Sequence, residues 1–254
     1  MEKLNDLLGY NIEIFQDDDF FKYNLDSILL AEFVELKSNK KNILDIGAGT
    51  GAISLVLSTK TNQNIDAIEI QKELSDLFTK TIKYNKLEDQ INLYNEDIKE
   101  SALLNKNNYY DIIVCNPPYF KNGKFSSKLA KSIARHEKFL NINDIAKVSK
   151  KLLNNNGSLY IVYNSERLIE ALEILKSSNL IPKRLKFIHT NLNKSATIFL
   201  LECVKNGNDG LKIEPPFILY NKDGEKTDEY TTLIETKEEE KWVKKAMMDK
   251  PVFI

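Results

Sequence analysis

Between Asn42 and Val204 short apolar runs alternate with amphipathic stretches, and that alternation leaves few folds open. Residues 42–46, 65–70, 91–95, 111–115 and 157–163 read as strands, and the more continuous runs suit a parallel sheet buried on both faces. Helices are predicted over 26–36, 52–59, 72–85, 142–153 and 165–177. Residues 185–189 and 196–204 follow as two strands with a short polar connection, which reads as a hairpin. The pattern predicts an α/β fold, a doubly wound and mostly parallel sheet with helices on both faces and an antiparallel edge.

Length and composition narrow the class further. At 254 residues the chain suits one large domain, or one domain with an appendage. Its 42% apolar and 29% charged residues place it among globular proteins and exclude a disordered, collagen-like or disulfide-built chain. No apolar run approaches the roughly 20 residues of a spanning helix, and Met1–Asp6 lacks the pattern of a signal peptide. Cys115 and Cys203 each sit inside an apolar run, so a reducing cytoplasm is expected and a metal site is not. A formal net charge of −1 leaves nucleic acid open as a partner, because a local basic patch matters more than the total.

The first chemical motif is Asp45-Ile46-Gly47-Ala48-Gly49-Thr50-Gly51, which follows the first strand of the alternation and opens a helix. Glycines there let the backbone turn tightly and approach a ligand at the positive end of the helix, at the carboxyl ends of the strands. Glu69 ends the next strand, 24 residues after Asp45, where a carboxylate can accept both hydroxyls of a ribose. Gly47, Gly49 and Ala52 also satisfy the dinucleotide fingerprint, with Glu69 as its acidic residue. Two details favour S-adenosylmethionine. Asp45 stands where a carboxylate can face a cationic amino acid moiety, and Asp97, just past the third strand, is placed to accept from an adenine amino group. The bland alternative is a glycine turn in a Rossmann-like sheet that holds nothing.

The second motif, Asn116-Pro117-Pro118-Tyr119, directly follows the fourth strand. The prolines stiffen the turn and push the preceding residue out of helix space. The Asn116 amide oxygen and the Pro117 carbonyl can converge as two acceptors on one amino group, and Tyr119 offers a flat face to a planar ring. Alone, Asn-Pro-Pro is only a turn signal. Cys115, just before it, points into the sheet by strand alternation and reads as core.

The glycine turn resembles the cofactor motif, and Asn116–Tyr119 the catalytic tetrapeptide, of amino-directed S-adenosylmethionine-dependent methyltransferases of class I. The resemblance spans roughly residues 20 to 204. It implies a seven-stranded sheet of order 3-2-1-4-5-7-6 with strand 7 antiparallel, and catalytic roles for Asn116, Pro117 and Tyr119. It also implies cofactor contacts from Asp26, Asp45, Gly47, Gly49, Gly51, Glu69, Asp97 and Asn116. For Asp26 and Ser27 a helix cap competes with a reach to the methionine end of the cofactor. Softer matches are similar to the bacterial tRNA adenine-N6 methyltransferases that act beside the anticodon of valine tRNA. They lie in 21–33, in Ala134-Arg135-His136-Glu137, in Lys194-Ser195-Ala196 and in the tail from Pro215 to Tyr230. In the family the same tetrapeptide serves adenine in DNA, adenine in RNA and the glutamine side chain of release factors; no stretch here is large enough for the target-recognition domain of the DNA enzymes, and a protein glutamine or a base in ribosomal RNA stays the alternative substrate. The 44 residues before Asp45 are few for the helical domain of the glutamine enzymes.

The expected partner is the tRNA anticodon loop. Lys121, Lys124, Lys128, Lys131, Arg135 and Lys138 follow the tetrapeptide against one acid, Glu137, and read as a basic lid over tRNA phosphates. A solvated lysine-rich loop is the competing reading. A second cluster, Lys183, Arg184 and Lys186, could simply edge the sheet. The expected division is a methyltransferase domain over 1–205 with a helical lead-in, and an extension over 206–254 that packs on it, with a short helix near 237–248. No membrane or obligate protein partner is indicated, and monomer and homodimer both stay open. The rivals are an NAD-dependent oxidoreductase, for which Asn116–Tyr119 has no obvious task, and a non-catalytic RNA-binding module, which has no need of the acceptor pair.

Overall fold

The structure, a computed structural model, describes residues 2–8, 10–17, 25–37, 42–117 and 140–234. Strands β1 (Glu2–Asp6) and β2 (Glu13–Asp17) form an antiparallel hairpin, and helix α1 (Leu25–Phe33) comes next. The alternation then runs β3 (Asn42–Ile46), α2 (Ala52–Lys60), β4 (Asn64–Ile68), α3 (Lys72–Tyr84), β5 (Ile91–Tyr94) and β6 (Tyr110–Cys115). It continues with α4 (Ile142–Leu152), β7 (Leu153–Asn164), α5 (Leu168–Ser177), β8 (Leu180–Asn191) and β9 (Ile198–Lys205), and ends with β10 (Lys212–Ile213) and β11 (Phe217–Tyr220).

The main sheet places β5, β4, β3, β6, β7, β9 and β8 side by side. Counted from β3 this is the expected order, with β9 antiparallel to both neighbours. The expected total of seven strands is exceeded. β10 and β11 both pair in parallel with β8 and bring the sheet to nine. The central strands β3, β4 and β6 are covered on both faces, so Ile43, Leu44, Ile65, Ile112, Ile113 and Val114 are all buried.

The lead-in is not wholly helical as expected, since a β-hairpin precedes α1. The chain reverses at Asn11, whose φ is +56°, and Leu7 N–H donates to the Ile12 carbonyl at 2.9 Å. Ile12, Ile14 and Gln16 face inward with period two. The hairpin docks on the end of α3. The Asn85 side chain pairs with both backbone groups of Glu13 (3.1 and 2.7 Å), and the Thr81 hydroxyl accepts from Phe15 N–H at 3.0 Å.

Helix α1 stops three residues short of the expected end, and its terminal carbonyls are claimed by cations. Lys60 Nζ donates to the Ala31 carbonyl at 3.0 Å, and the Arg184 guanidinium donates to that of Phe33 at 3.4 Å while lying 4.3 Å over the Phe33 ring. Arg184 also meets Glu35, Glu202 and Glu214 at 2.7, 3.1 and 2.8 Å. Lys186 pairs with Glu229 at 2.9 Å, and Lys183 donates to the Asn208 carbonyl. This second basic cluster therefore fastens α1 and the segment after β9 to the sheet edge. Phe217 is buried there against the edge of Tyr230. The helix expected near 237–248 lies outside the described residues, whereas 228–234 is helical. Among the described residues no helix is long and apolar enough to cross a membrane.

Candidate active site

Parallel strands β3, β4, β5 and β6 bring their carboxyl ends to one side of the sheet, and most of the candidate residues in the described part gather there. The turn after β3 is left-handed at Gly47, Gly49 and Gly51, with φ of +71°, +59° and +94°. It is drawn tight by the Gly47 and Ala48 N–H groups, which both donate to the Ile68 carbonyl at 2.9 and 3.0 Å. Gly51 closes the turn at the start of α2, and a Cβ there would lie 2.1 Å from the ring of Phe78. The apolar face of α3 is thus pressed against the backbone at the position of this turn where only glycine leaves room.

Glu69, 4% exposed, leaves β4 beneath this turn. Its carboxylate accepts from Gly49 N–H at 2.9 Å and from Gln71 N–H and Nε2–H at 2.8 and 3.3 Å. Its backbone carbonyl accepts from Asn95 Nδ2–H at 2.8 Å. The acid is thereby fixed between the glycine turn and the end of β5. Asp97, after β5, accepts from Lys99 N–H at 2.9 Å and stands at the rim of a cleft. Ile46, Gly47, Ile68, Ile70, Glu96, Ile98 and Leu140 complete that cleft, so its walls are aliphatic and its rim acidic.

Asp45 requires a correction. Its side chain is 0% exposed and turned under α2, where Oδ2 accepts from Ser54 N–H at 3.2 Å and Ser54 Oγ–H at 2.7 Å. It is thus an internal brace between β3 and α2 rather than an open carboxylate facing a ligand charge. The physical reason is local: Ser54 offers two donors on the otherwise apolar buried face of α2. Oδ1 accepts no hydrogen bond from the described residues. Burial pushes the Asp45 carboxyl up to about 7; the Ser54 donors oppose this and the charge of Glu69 adds to it. The unfolded chain's aspartate titrates from 3.8, so between about pH 4 and 7 the native state holds a proton the unfolded state has lost. That contribution to stability is present at low pH and disappears as pH rises through 7. The melting temperature of the protein relative to Asp45→Asn is expected to fall between pH 5 and 8; parallel curves would contradict the assignment.

At the end of β6 the backbone delivers Asn116 and Pro117 beside the glycine turn. Asn116 Nδ2–H donates to Ser27 Oγ at 2.9 Å. Ser27 and Asp26 lie in the first turn of α1, which starts at Leu25, so they are inside the helix rather than its caps. Cys115 is buried, and burial together with Asp45 and Glu69 holds its thiol well up, so it is core and unreactive. Tyr119, Lys121, Lys124, Lys128, Lys131, Arg135 and Lys138 lie outside the described residues. Among the described residues no group of three or more His, Cys, Asp or Glu could hold a metal ion.

Sequence reasoning missed the supports. Ser54, Gln71 and Asn95 hold the two acids, and Ser27 holds Asn116. A lone buried serine in the apolar run of 52–57 was the one legible hint.

A sequence profile described as the methyltransferase small domain matches residues 20–188. The tRNA1(Val) (adenine(37)-N6)-methyltransferase of Trichodesmium erythraeum is 34% identical over 155 residues, 60% of this chain and 64% of that protein. The protein of the same name from Aliivibrio salmonicida is 29% identical over 204 residues, covering 80% and 85%. The crystal structure of a predicted O-methyltransferase from Agrobacterium tumefaciens shares the fold, with a TM-score of 0.67 at 16% identity over 84% of this chain and 96% of that one.

Proposed function

The chain belongs to the methyltransferase small domain family, and from that premise we propose that it methylates the exocyclic amino group of an unpaired adenine in the tRNA anticodon loop, giving N6-methyladenosine. The methyl donor is S-adenosyl-L-methionine, whose sulfonium supplies an electrophilic methyl and a neutral leaving group. The residues present fit that donor. The glycine turn leaves room for close approach, the aliphatic cleft between Ile46 and Ile98 suits the faces of an adenine, and Asp97 at its rim can accept from an amino group. Glu69, whose carboxylate accepts from the turn at Gly49 N–H, suits the ribose hydroxyls.

The observation that carries the reading is the hydrogen bond from Asn116 Nδ2 to Ser27. With the donor end engaged there, Oδ1 is left to act as an acceptor, and the carbonyl of the next residue, Pro117, is the second acceptor of the reading. An adenine amino group is nearly planar because its lone pair is shared with the ring. Two acceptors bound to its two N–H groups favour the pyramidal nitrogen that attack requires, which is stabilisation specific to the transition state. No prior deprotonation is needed, and the surplus proton leaves the product nitrogen for water. What remains for the protein is alignment, and fixed groups on strand ends provide it. An unpaired purine is already out of a duplex, so presenting it costs less than flipping a paired base.

The substrate class is supported by the naming of the relatives and by the basic run from Lys121 to Lys138, which follows the acceptor pair in the chain. Tyr119 is assigned to stacking on the base, and the basic run to phosphate contacts. The test is transfer of labelled methyl to unmodified bulk bacterial tRNA, followed by nucleoside analysis. Labelled N6-methyladenosine is expected. Label in ribosomal RNA or on protein glutamine instead, with tRNA blank, would overturn the proposal.

A further inference from the structure

We infer that Ser27 is a positioning residue, acting through Asn116 to keep the amide oxygen turned toward the amino group to be methylated. The inference rests on the proposed amino-directed reaction for its catalytic consequence, but its structural content stands apart from that reaction.

An asparagine amide has one acceptor end and one donor end, and rotation about its last side-chain bond exchanges them. With Oδ1 forward, Asn116 accepts an N–H. With Nδ2 forward, two donors confront each other and the amino group is repelled. A serine hydroxyl can meet either end of an amide, and the one at Ser27 meets the nitrogen and so keeps it back. Ser27 Oγ lies 2.9 Å from that nitrogen and the residue is buried, 8% exposed, so water competes poorly for the contact. The two residues are 89 positions apart in the chain and meet because α1, packed against α2, β7 and β9, brings Ser27 to the residue after β6.

Helix α1 is itself held at its far end. Lys60 reaches the Ala31 carbonyl and Glu32, and Arg184 reaches the Phe33 carbonyl and Glu35. A helix pinned at one end presents the serine of its first turn at a fixed place, as positioning demands. Neighbouring residues of the first turn cannot do this work: Leu25 and Ile28 carry no acceptor, and Asp26 is not the partner of the Asn116 nitrogen.

The test compares Ser27→Ala and Ser27→Thr in the full chain. Asparagine-selective nitrogen-15 NMR reads the Asn116 side-chain amide, assigned by its disappearance in Asn116→Asp. In Ser27→Ala the two Nδ2 protons are expected to exchange with water faster and to shift, and Ser27→Thr to restore them. In the methyl-transfer assay Ser27→Ala is expected to lose about tenfold in kcat, with affinity for S-adenosylhomocysteine within a factor of about two and Ser27→Thr near normal. An unchanged Asn116 amide signal in Ser27→Ala would overturn the inference whatever the substrate is. Loss of S-adenosylhomocysteine affinity with kcat at saturating donor unchanged would also overturn it and make Ser27 a cofactor contact. The amide effect in Ser27→Ala, together with wild-type protein that methylates no nucleic acid, would refute the proposed function and leave the positioning intact.

Discussion

Asn116→Ala is expected to lower methyl transfer by about 10²–10³-fold, the scale on which single preorganised hydrogen-bonding groups act in catalysis. The fold should survive. Asn116 stands after β6 rather than within it, and the bond lost on truncation is the one to Ser27, worth roughly 1 kcal/mol. Binding of S-adenosylhomocysteine should hold within a few fold, because Asn116 is one expected cofactor contact among several and the glycine turn, Glu69 and Asp97 are untouched. The asymmetry follows from where the acceptor acts: the amide oxygen meets the amino protons most strongly when the nitrogen is pyramidal, so its removal falls on kcat rather than on donor affinity. Steady-state kinetics with a thermal-shift titration of S-adenosylhomocysteine would check both halves. A variant that kept more than a tenth of the wild-type kcat would remove Asn116 from the chemistry.

Gly51→Ala should do the opposite and strike cofactor binding and stability together. The residue sits at φ +94°, where an L side chain is strained, and its added Cβ would lie 2.1 Å from the Phe78 ring. That ring is 0% exposed and locked into the core, so it cannot swing aside. The turn must open instead, carrying the start of α2 away from the site. A destabilisation of ~2–4 kcal/mol is expected, with loss of S-adenosylhomocysteine affinity of at least tenfold. Gly49→Ala is the internal comparison. It shares the left-handed backbone, with φ +59°, but has nothing within 4 Å of its added Cβ, so it should cost ~1 kcal/mol. Melting temperatures of the two variants decide the point, and equal values would show that backbone strain rather than the Phe78 contact governs the turn.

What could be read from the residues alone follows from the range of the forces involved. The five parallel strands were legible because burial on both faces writes continuous apolar runs, whereas the order of the sheet came only as what the family resemblance implied. Strand ends were less legible. β7 begins at Leu153, inside the predicted helix, and β8 extends to twelve residues from Leu180 to Asn191, lengths set by what pairs alongside. β10 and β11 escaped because two- and four-residue strands carry almost no pattern and exist through pairing with β8. The β1–β2 hairpin escaped because its alternation, Ile12, Ile14 and Gln16, is short and ends on a polar residue.

In the site, glycines and acids at strand ends announced themselves by position, since turn geometry and strand ends are local. The direction of Asp45 did not. Its partner, Ser54, became visible only once α2 was laid over β3. The pairing of Ser27 with Asn116 depends on the placement of α1 across the sheet, which no spacing encodes.

The most direct test of the central claim is to locate the transferred methyl within one molecule. A bacterial valine tRNA transcript and its counterpart with guanine in place of the adenine 3′ to the anticodon would each be incubated with the protein and labelled S-adenosylmethionine. Digested fragments would then be read by mass spectrometry. Label on the amino nitrogen of that adenine, absent from the guanine transcript and from reactions with Asn116→Ala, is the predicted result. Label spread over other adenines, or retained in the guanine transcript, would contradict the account.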